Sequence, residues 1–249
     1  MLRKDRENGH LFDEIFVTID NLRHLYHNLY MLATLKQTAE LVEFFRVNGI
    51  KQSFKKNDYI IRPGDTPHGV FFIYKGLVKA YDITKYGEEN LLIIRKQDEV
   101  FPLIWAVTGR DHDIIYQALA PTTTFQIDRK TFLEYITNSR DALIPLLDMT
   151  MEMYRMHGDR ILTLEYRTVR ERIISFILNM SQRFGSPTED GSIYLEVPLK
   201  HQDIASSVNA SRETTSREIS ALERKGLLIN KHSYIIIKKP EQLKKYLKD

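Results

Sequence analysis

The chain has 249 residues, of which 43% are hydrophobic and 28% are charged, and its formal net charge is +3 at pH 7; this is an ordinary globular composition with enough residues for about two domains. The absence of cysteine excludes disulfides, thiolate zinc sites and cysteine-ligated iron–sulfur clusters. Because no apolar run approaches the roughly 18 residues of a membrane span and no secretory signal follows the charged residues 3–7, we expect a cytoplasmic protein without a membrane partner.

Residues 1–35 form an N-terminal extension with apolar side chains at helical spacing. These side chains are Leu11, Phe12, Ile15, Phe16, Ile19, Leu22, Leu25, Tyr26, Leu29 and Tyr30. The pattern predicts a helix that packs on the body of the protein or on a partner. The alternative is that Met31 is the natural start and that the upstream residues reflect where the reading frame was opened. We assign no activity to this segment.

Residues 36–140 are predicted to form a β-rich domain. From about residue 50 to residue 128, short runs rich in Ile, Val, Phe and Tyr alternate with turn signals. Gly64, Gly76 and Gly87 suit turns that need positive φ. Several short strands with regular turns indicate an antiparallel sandwich or barrel.

Residues 141–167 are predicted to be a long helix followed by a hinge. Its apolar positions alternate spacings of three and four: Ile144, Leu147, Met151, Tyr154, Gly158 and Ile161. Such a heptad-like seam is long enough to pair with a copy of itself; the alternative is a helix packed on its own barrel. Thr168 and Glu171 have the spacing of a capping box that starts a new helix, which places the hinge at residues 165–167.

Residues 168–249 carry the excess of positive charge. We count 14 Lys+Arg and 10 Asp+Glu in this segment, a net charge of +4, whereas the preceding 167 residues carry −1. A positive surface attracts phosphates. The imbalance is modest and is weak support by itself.

Within this segment, residues 199–225 predict two short helices joined by a tight turn. Ser211 is a preferred N-cap, and the helix after it places four polar side chains on one face. These are Arg212, Glu213, Ser216 and Arg217. The residues expected to face inward are Ile204, Ala205, Val208, Thr215, Ile219 and Leu222. The pattern indicates a helix-turn-helix whose second helix enters the DNA major groove; the alternative is an exposed amphipathic helix.

The flanking segments are predicted to be a loop and a hairpin. Residues 184–191 have the composition of a plain loop. Residues 227–229 and 234–237 are apolar runs on either side of a polar turn at residues 230–233. This arrangement predicts a β-hairpin wing after the second helix.

Several of these motifs resemble those of the Crp/Fnr superfamily of bacterial transcription regulators. Residues 61–65 and 72–76 look like the first two barrel corners of the family, and residues 202–205 and 208–214 closely match its DNA-reading motif. The similarity covers roughly residues 40–240. It implies an α+β fold with an N-terminal antiparallel β jelly-roll, a long dimerisation helix and a C-terminal winged helix-turn-helix spanning residues 168–249.

The resemblance also implies roles for individual residues. Arg212, Glu213 and Arg217 would read base edges in half-sites like TGTGA, with Ser216 on the same face. Contacts to DNA phosphates are implied for His201, Gln202, Ser211, Thr214 and, more weakly, His232 on the wing. The implied partners are double-stranded DNA with a palindromic operator, a second copy of the chain and, for an activator, RNA polymerase.

The effector site departs from the cyclic-AMP branch of the family. Phe101-Pro102-Leu103 stands where that branch has Gly-Glu-Leu, and its Arg-Ser positions fall near His112 and Asp113. An aspartate repels a phosphate, and a neutral histidine does not replace the bidentate fork of arginine. The adenine-contacting Thr-Ser maps near His157 and Gly158. We therefore expect that cyclic nucleotide does not bind and that no cofactor is held.

The barrel either senses another small molecule or serves only as a scaffold. An apolar pocket with a few polar groups is the usual form of a small-molecule site. The candidate lining residues are Phe72, Tyr81, Arg95, Trp105, His112 and Tyr116.

Two other classes of function fit the sequence less well. A cupin-like metalloenzyme needs closely spaced histidines with a carboxylate, whereas the eight histidines here are scattered and no hydrolase or phosphate-loop motif is present. A jelly-roll interaction module without DNA binding is disfavoured by the intact Arg212, Glu213 and Arg217. We therefore expect no enzymatic activity and no metal site.

Overall fold

The computed structural model describes residues 38–110 and 113–247, so the predicted extension 1–35 and His112 lie outside the described residues. Helix α1 spans residues 38–48. Two four-stranded antiparallel sheets follow. The first has the order β1 (Ile50–Phe54), β8 (Thr122–Ile127), β3 (Val70–Lys75) and β6 (Val100–Phe101). The second has the order β2 (Tyr59–Ile61), β7 (Ile115–Ala118), β4 (Val78–Ile83) and β5 (Glu89–Arg95).

The two sheets enclose an apolar core, and three short helices cover one of them. Successive side chains of a strand point to opposite faces, so Phe71 of β3 packs in the interior against Phe101, with ring centroids 5.3 Å apart. Phe72 points the other way, against Phe45 of α1. Helices α2 (Leu103–Thr108) and α3 (Arg129–Asn138) complete this outer layer. The predicted antiparallel β domain is confirmed.

The predicted turn glycines have positive φ. Gly64 and Gly87 both have φ of 78°. Gly76 has φ of 107°, and a Cβ there would lie 2.5 Å from the carbonyl oxygen of Pro121. Glycine is therefore required at this turn for space as well as for backbone conformation.

The long helix α4 (Arg140–Tyr166) leads from the barrel to the C-terminal domain. The helix ends at Tyr166, and Arg167 after it is extended. Thr168 then caps α5 (Val169–Phe184) through the predicted capping box with Glu171. The non-helical link is therefore shorter than the predicted hinge at 165–167, because Tyr166 still belongs to α4. The Arg167 guanidinium donates to the backbone carbonyl of Leu247 (3.1 Å).

The C-terminal domain consists of four helices and a four-stranded sheet. After α5 come α6 (His201–Ser207), α7 (Arg212–Arg224) and α8 (Pro240–Lys245). The sheet has the order β11 (Leu228–Lys231), β12 (Tyr234–Ile237), β10 (Ile193–Leu195) and β9 (Gly185–Pro187).

Two local predictions in this domain need correction. The segment 184–191 is not a plain loop, because residues 185–187 form β9 and pair with β10; a three-residue strand is too short to show an alternating pattern. The wing turn is limited to His232 and Ser233, which have φ of 52° and 69°, because Asn230 and Lys231 still pair with β12.

The two domains of the chain contact each other through α6 and β5. Leu91 of β5 shares an apolar cluster with Ile173 of α5 and Ile204 of α6. Arg160 of α4 donates to the carbonyl of Leu91 (3.0 Å) and to the side chain of Asn90 (3.0 Å). No helix in the described part of the chain is long and apolar enough to cross a membrane.

Candidate nucleic-acid interface and effector cavity

Helices α6 and α7 are locked together by apolar contacts. All six residues predicted to face inward are buried: Ile204, Ala205, Val208, Thr215, Ile219 and Leu222. The turn between the helices contains Asn209 with φ of 49°, a left-handed conformation that asparagine tolerates. The arrangement is a helix-turn-helix, and it fixes the direction in which the start of α7 points.

A cap built from two hydroxyl groups orders the start of α7. The Ser211 hydroxyl accepts from the backbone N–H of Thr214 (3.1 Å) and donates to the Thr214 hydroxyl oxygen (3.0 Å). Arg217 lies within reach of that same oxygen (3.4 Å). Ser211 is therefore occupied in capping, whereas Thr214 keeps its own hydroxyl hydrogen to donate outward.

The predicted base-reading side chains share the outer face of α7. Arg212, Glu213 and Arg217 are exposed, and Ser216 between them is half-buried. On the opposite side, Glu218 accepts from Arg170 of α5 (2.7 Å). This ion pair and the buried residues hold the helix so that its polar face remains free.

The start of α6 and the wing together form a cavity of about 480 Å³ beside this face. It is lined by Leu199, Lys200, His201, Gln202, Arg212, Asn230 and Ser233. His201 Nε2 lies 2.7 Å from Asn230 Nδ2, and His232 is exposed at the wing turn. A phosphate fits the basic and amide groups of this lining. The sequence did not indicate Lys200 and Asn230, because only the folded wing brings residue 230 next to residue 201.

The start of α7 also borders a cleft toward the barrel. The cleft has a volume of about 850 Å³. Glu88 and Glu89 of the β4–β5 hairpin line one side, and Gln202, Arg212 and Glu213 line the other. The start of α7 is thus adjacent to two barrel carboxylates of its own chain.

A second cavity of about 390 Å³ lies between the barrel and α4. Of the predicted effector residues, Arg95, Trp105 and Tyr116 line it. Phe72 and Tyr81 do not: Phe72 packs under α1, and Tyr81 is buried beneath Lys79, whose Nζ is 4.3 Å from its ring centroid. Side chains alternate between the two faces of a strand, and the sequence did not indicate which face of β3 or β4 lines the cavity.

The electrostatics of this second cavity are dominated by Arg95. Its side chain is 6% exposed, and its Nε and Nη1 have no hydrogen-bond partner. Its nearest carboxylate oxygen, Glu99 Oε2, is 3.5 Å away. His157 of α4 also lines the cavity. Burial lowers the pKa of His157 below its ordinary value, and the guanidinium groups of Arg160, Arg95 and Arg183 lower it further.

The apolar seam of α4 is largely exposed. The exposed members of the predicted seam are Leu147 (52%), Met151 (51%), Tyr154 (77%) and Ile161 (64%). Ile144 and Gly158 are half-buried. Sequence spacing had not indicated Leu143, Leu162 and Tyr166, which are exposed apolar residues of the same helix. Large apolar side chains in a row along one helix are typical of a surface that a partner covers.

The described residues contain no group of three or more His, Asp or Glu side chains arranged to hold a metal ion.

Comparisons with known proteins agree with this architecture. The family model of the Crp-like helix-turn-helix domain matches residues 171–246, and that of the cyclic nucleotide-binding domain matches residues 51–139. The chain is 30% identical to the global nitrogen regulator of Nostoc sp. over 201 residues, which cover 78% of this chain and 87% of that protein. It is 26% identical to the fumarate nitrate reduction regulatory protein of Klebsiella oxytoca over 200 residues, covering 78% and 76% of the two chains.

Solved structures share the fold at lower identity. A mutant of CooA from Carboxydothermus hydrogenoformans superposes with a TM-score of 0.68 at 19% identity, covering 80% of this chain and 88% of that one. FixK2 from Bradyrhizobium japonicum gives a TM-score of 0.67 at 22% identity, covering 79% and 96%. The predicted family and fold are therefore confirmed: the chain belongs to the Crp/Fnr family of DNA-binding transcription regulators, whose members act as dimers.

Proposed function

We propose that this regulator binds a palindromic operator with half-sites like TGTGA as a homodimer in the cytoplasm. The observation that carries the proposal is the capped start of α7, which presents Arg212, Glu213 and Arg217 on one exposed face. A helix in the major groove reads bases with the side chains of its first turns. Arginine pairs with the O6 and N7 of guanine, and glutamate accepts from the amino group of cytosine.

Contacts to DNA phosphates set the register of this helix in the groove. Gln202 and His201 at the start of α6 line the basic cavity, and Thr214 has a hydroxyl hydrogen to donate. Ser211 contributes as the cap, and His232 would reach the backbone from the wing turn. Such contacts carry affinity but little sequence information.

Dimerisation would cover the exposed seam of α4. Pairing two copies through Leu147, Met151, Tyr154 and Ile161 removes these apolar side chains from water, and burial of such groups is the main favourable term in association. Two recognition helices about one DNA turn apart then match a palindrome. If the regulator is an activator, RNA polymerase is a further partner.

The cavity beside α4 is the proposed effector site, and we infer that its ligand is not a cyclic nucleotide. Pro102 lines the cavity at the position where the cyclic-AMP branch carries the glutamate that holds the ribose hydroxyl. Arg95 and Arg110 are its cationic lining groups. Arg95 is buried and its Nε and Nη1 have no hydrogen-bond partner, although Glu99 Oε2 lies 3.5 Å from Nη1. Because buried donors without a hydrogen bond are costly, a ligand with a negatively charged group fits best. A constitutive regulator with an empty scaffold is the alternative.

Fluorescence anisotropy of the purified protein tests the DNA-binding proposal. The probes are a TGTGA-N6-TCACA duplex and a scrambled duplex of the same composition at near-physiological salt. We expect a preference of roughly a thousandfold or more for the palindrome, and added cyclic AMP should not change it. Equal weak binding to both duplexes, unchanged in cell extract, would contradict the assignment of this operator.

A further inference from the structure

A buried cluster of three charges connects the effector cavity to the DNA-binding domain. Glu99, just before β6 of the barrel, accepts a hydrogen bond from Arg183 of α5, and its other oxygen lies 3.5 Å from Arg95 Nη1. The three side chains are only 6% to 11% exposed. Lys96 reinforces the contact by donating to the backbone carbonyl of Arg183 (3.2 Å). One barrel carboxylate is therefore shared between the cavity wall and the helix that begins the DNA-binding domain.

The sharing is unequal and leaves the cluster with an excess positive charge. Two guanidinium groups face the Glu99 carboxylate, and the neighbouring Lys96 and Glu152 add one charge of each sign beside Arg183, so the net charge remains +1. Arg183 has the hydrogen bond, whereas Arg95 Nε and Nη1, Arg183 Nη1 and Glu99 Oε2 have no hydrogen-bond partner. Like charges repel strongly where water is excluded. The docking of the DNA-binding domain on the barrel therefore depends on the charge at Arg95.

We propose that Glu99 is a positioning residue that couples occupancy of the cavity to the docking of the DNA-binding domain on the barrel of its own chain. This rests on the effector site proposed above. A negatively charged group bound at Arg95 neutralises the excess charge. Glu99 then interacts with Arg183 only, and this stronger contact stabilises the docked arrangement. By linkage, docking raises the affinity of the cavity for that group by the same factor. The cluster is the physical contact through which each event influences the other.

Neutralising Arg95, Glu99 and Arg183 one at a time tests the coupling without knowledge of the effector. The chain has no cysteine, so spin labels can be placed only at introduced cysteines, one at the exposed barrel position Lys56 and one at the exposed Glu189 of the DNA-binding domain. Labelled chains are diluted with unlabelled protein so that each dimer reports one intrachain distance. Electron–electron double resonance is recorded without DNA along a urea series, and the variants are compared at the urea concentration at which the wild type shows two distances.

Glu99→Gln and Arg183→Gln should each lower the docked fraction, and the double variant should lower it no further, because the two residues act through one contact. Arg95→Met should instead raise the docked fraction above that of the wild type. The matched control is Glu43→Gln, which removes an exposed carboxylate that is paired with Arg46 within α1 and should change nothing. If Glu99→Gln does not fold, Arg183→Gln tests the same hydrogen bond from the other side.

Two results would overturn the coupling. The first is an unchanged docked fraction in Glu99→Gln and Arg183→Gln. The second is a docked fraction that falls in Arg95→Met as well, because Arg95 would then support the contact between Glu99 and Arg183 instead of competing for Glu99. Binding of wild-type protein to the palindromic duplex is measured separately. If the wild type does not prefer the palindromic duplex but the variants change the docked fraction as expected, only the proposed operator is rejected. If the wild type prefers the palindrome but the docked fraction does not respond to the variants, only the coupling is rejected.

Discussion

Two arginines of α7 differ from the arginine that anchors the helix. Arg170 is paired with Glu218 at 2.7 Å, so its charge is committed to the protein. Arg212 and Arg217 are exposed and are not in an ion pair among the described residues. A guanidinium that is free of carboxylates can approach guanine without first breaking an ion pair.

Arg212→Ala should weaken operator binding by about 1–3 kcal/mol and relax the base preference at one position of each half-site. The measurement is anisotropy on the TGTGA palindrome and on duplexes with single substitutions. Gln202→Ala is the matched comparison, because loss of a phosphate contact should weaken binding to all sequences alike. An equal loss of affinity for palindromic and scrambled DNA in Arg212→Ala would refute the base-reading role.

His157 predicts a pH dependence of stability. Its pKa in the folded chain lies below the ordinary value of 6.5 because of burial and the nearby Arg160, Arg95 and Arg183. The unfolded chain therefore binds a proton at a higher pH than the folded chain. Stability from the neutral ring is complete above pH 6.5 and is lost as the pH falls toward the folded pKa.

Urea unfolding at pH 7.5 and pH 5.5 measures this effect. The free energy of unfolding should fall less between the two pH values in His157→Gln than in the wild type. His68→Gln is the control, because His68 lies on the barrel outside the cavity. Identical pH dependence in the wild type and His157→Gln would show that the neutral ring does not contribute.

At the scale of elements, the sequence predicted those features of the site that depend on residues close together in the chain. The capping residues Thr168 and Ser211 and the inward face of the helix-turn-helix follow from spacing of three and four residues, and the structure has them where they were predicted. The contacts of Glu99 with Arg183 and of His201 with Asn230 could not be predicted, since the partners are 84 and 29 residues apart. Such pairs depend on domain docking and on the wing sheet, which leave no periodic pattern.

The non-local nature of such contacts also explains two sequence predictions that were wrong. The strand β9 was missed because three residues carry no alternation, and Phe72 was placed at the cavity because the alternating face of β3 was not known. In both cases the pairing of strands decided the outcome, and pairing is a non-local property.

If the exposed apolar seam of α4 is the dimer interface, one charged residue introduced into it should dissociate the dimer. Tyr154→Glu places two carboxylates opposite each other in an apolar interface, where burial of an unpaired charge is costly. Sedimentation velocity should show a shift from dimer to monomer at micromolar concentration. Arg155→Ala changes an adjacent residue that pairs within the helix and should remain dimeric. A dimeric Tyr154→Glu protein would place the interface elsewhere.

At the scale of the whole molecule, the proposed dimer brings two DNA-binding domains to one duplex. A second half-site on the same DNA converts its binding into an intramolecular step, which is worth roughly a hundredfold to ten-thousandfold in affinity. A duplex with one TGTGA half-site should therefore bind the wild type at least about a hundredfold more weakly than the palindrome.

Competition of the two duplexes for labelled palindrome measures that ratio. Monomeric Tyr154→Glu is the control, because it should bind the two duplexes with nearly the same affinity. Equal affinity of the wild type for both duplexes would mean that only one recognition helix of the dimer engages DNA.

The hydrogen bond from Arg167 to the carbonyl of Leu247 (3.1 Å) has a practical consequence for anyone who handles this protein. It fastens the far end of the DNA-binding domain beside the residue where that domain joins α4. A purification tag or fluorescent protein attached directly after Leu247 would therefore lie beside the link between the domains and disturb it. Labels belong at exposed positions away from this link, such as Lys56, and an assay of switching made with a tag directly after Leu247 would report on the tag as much as on the regulator.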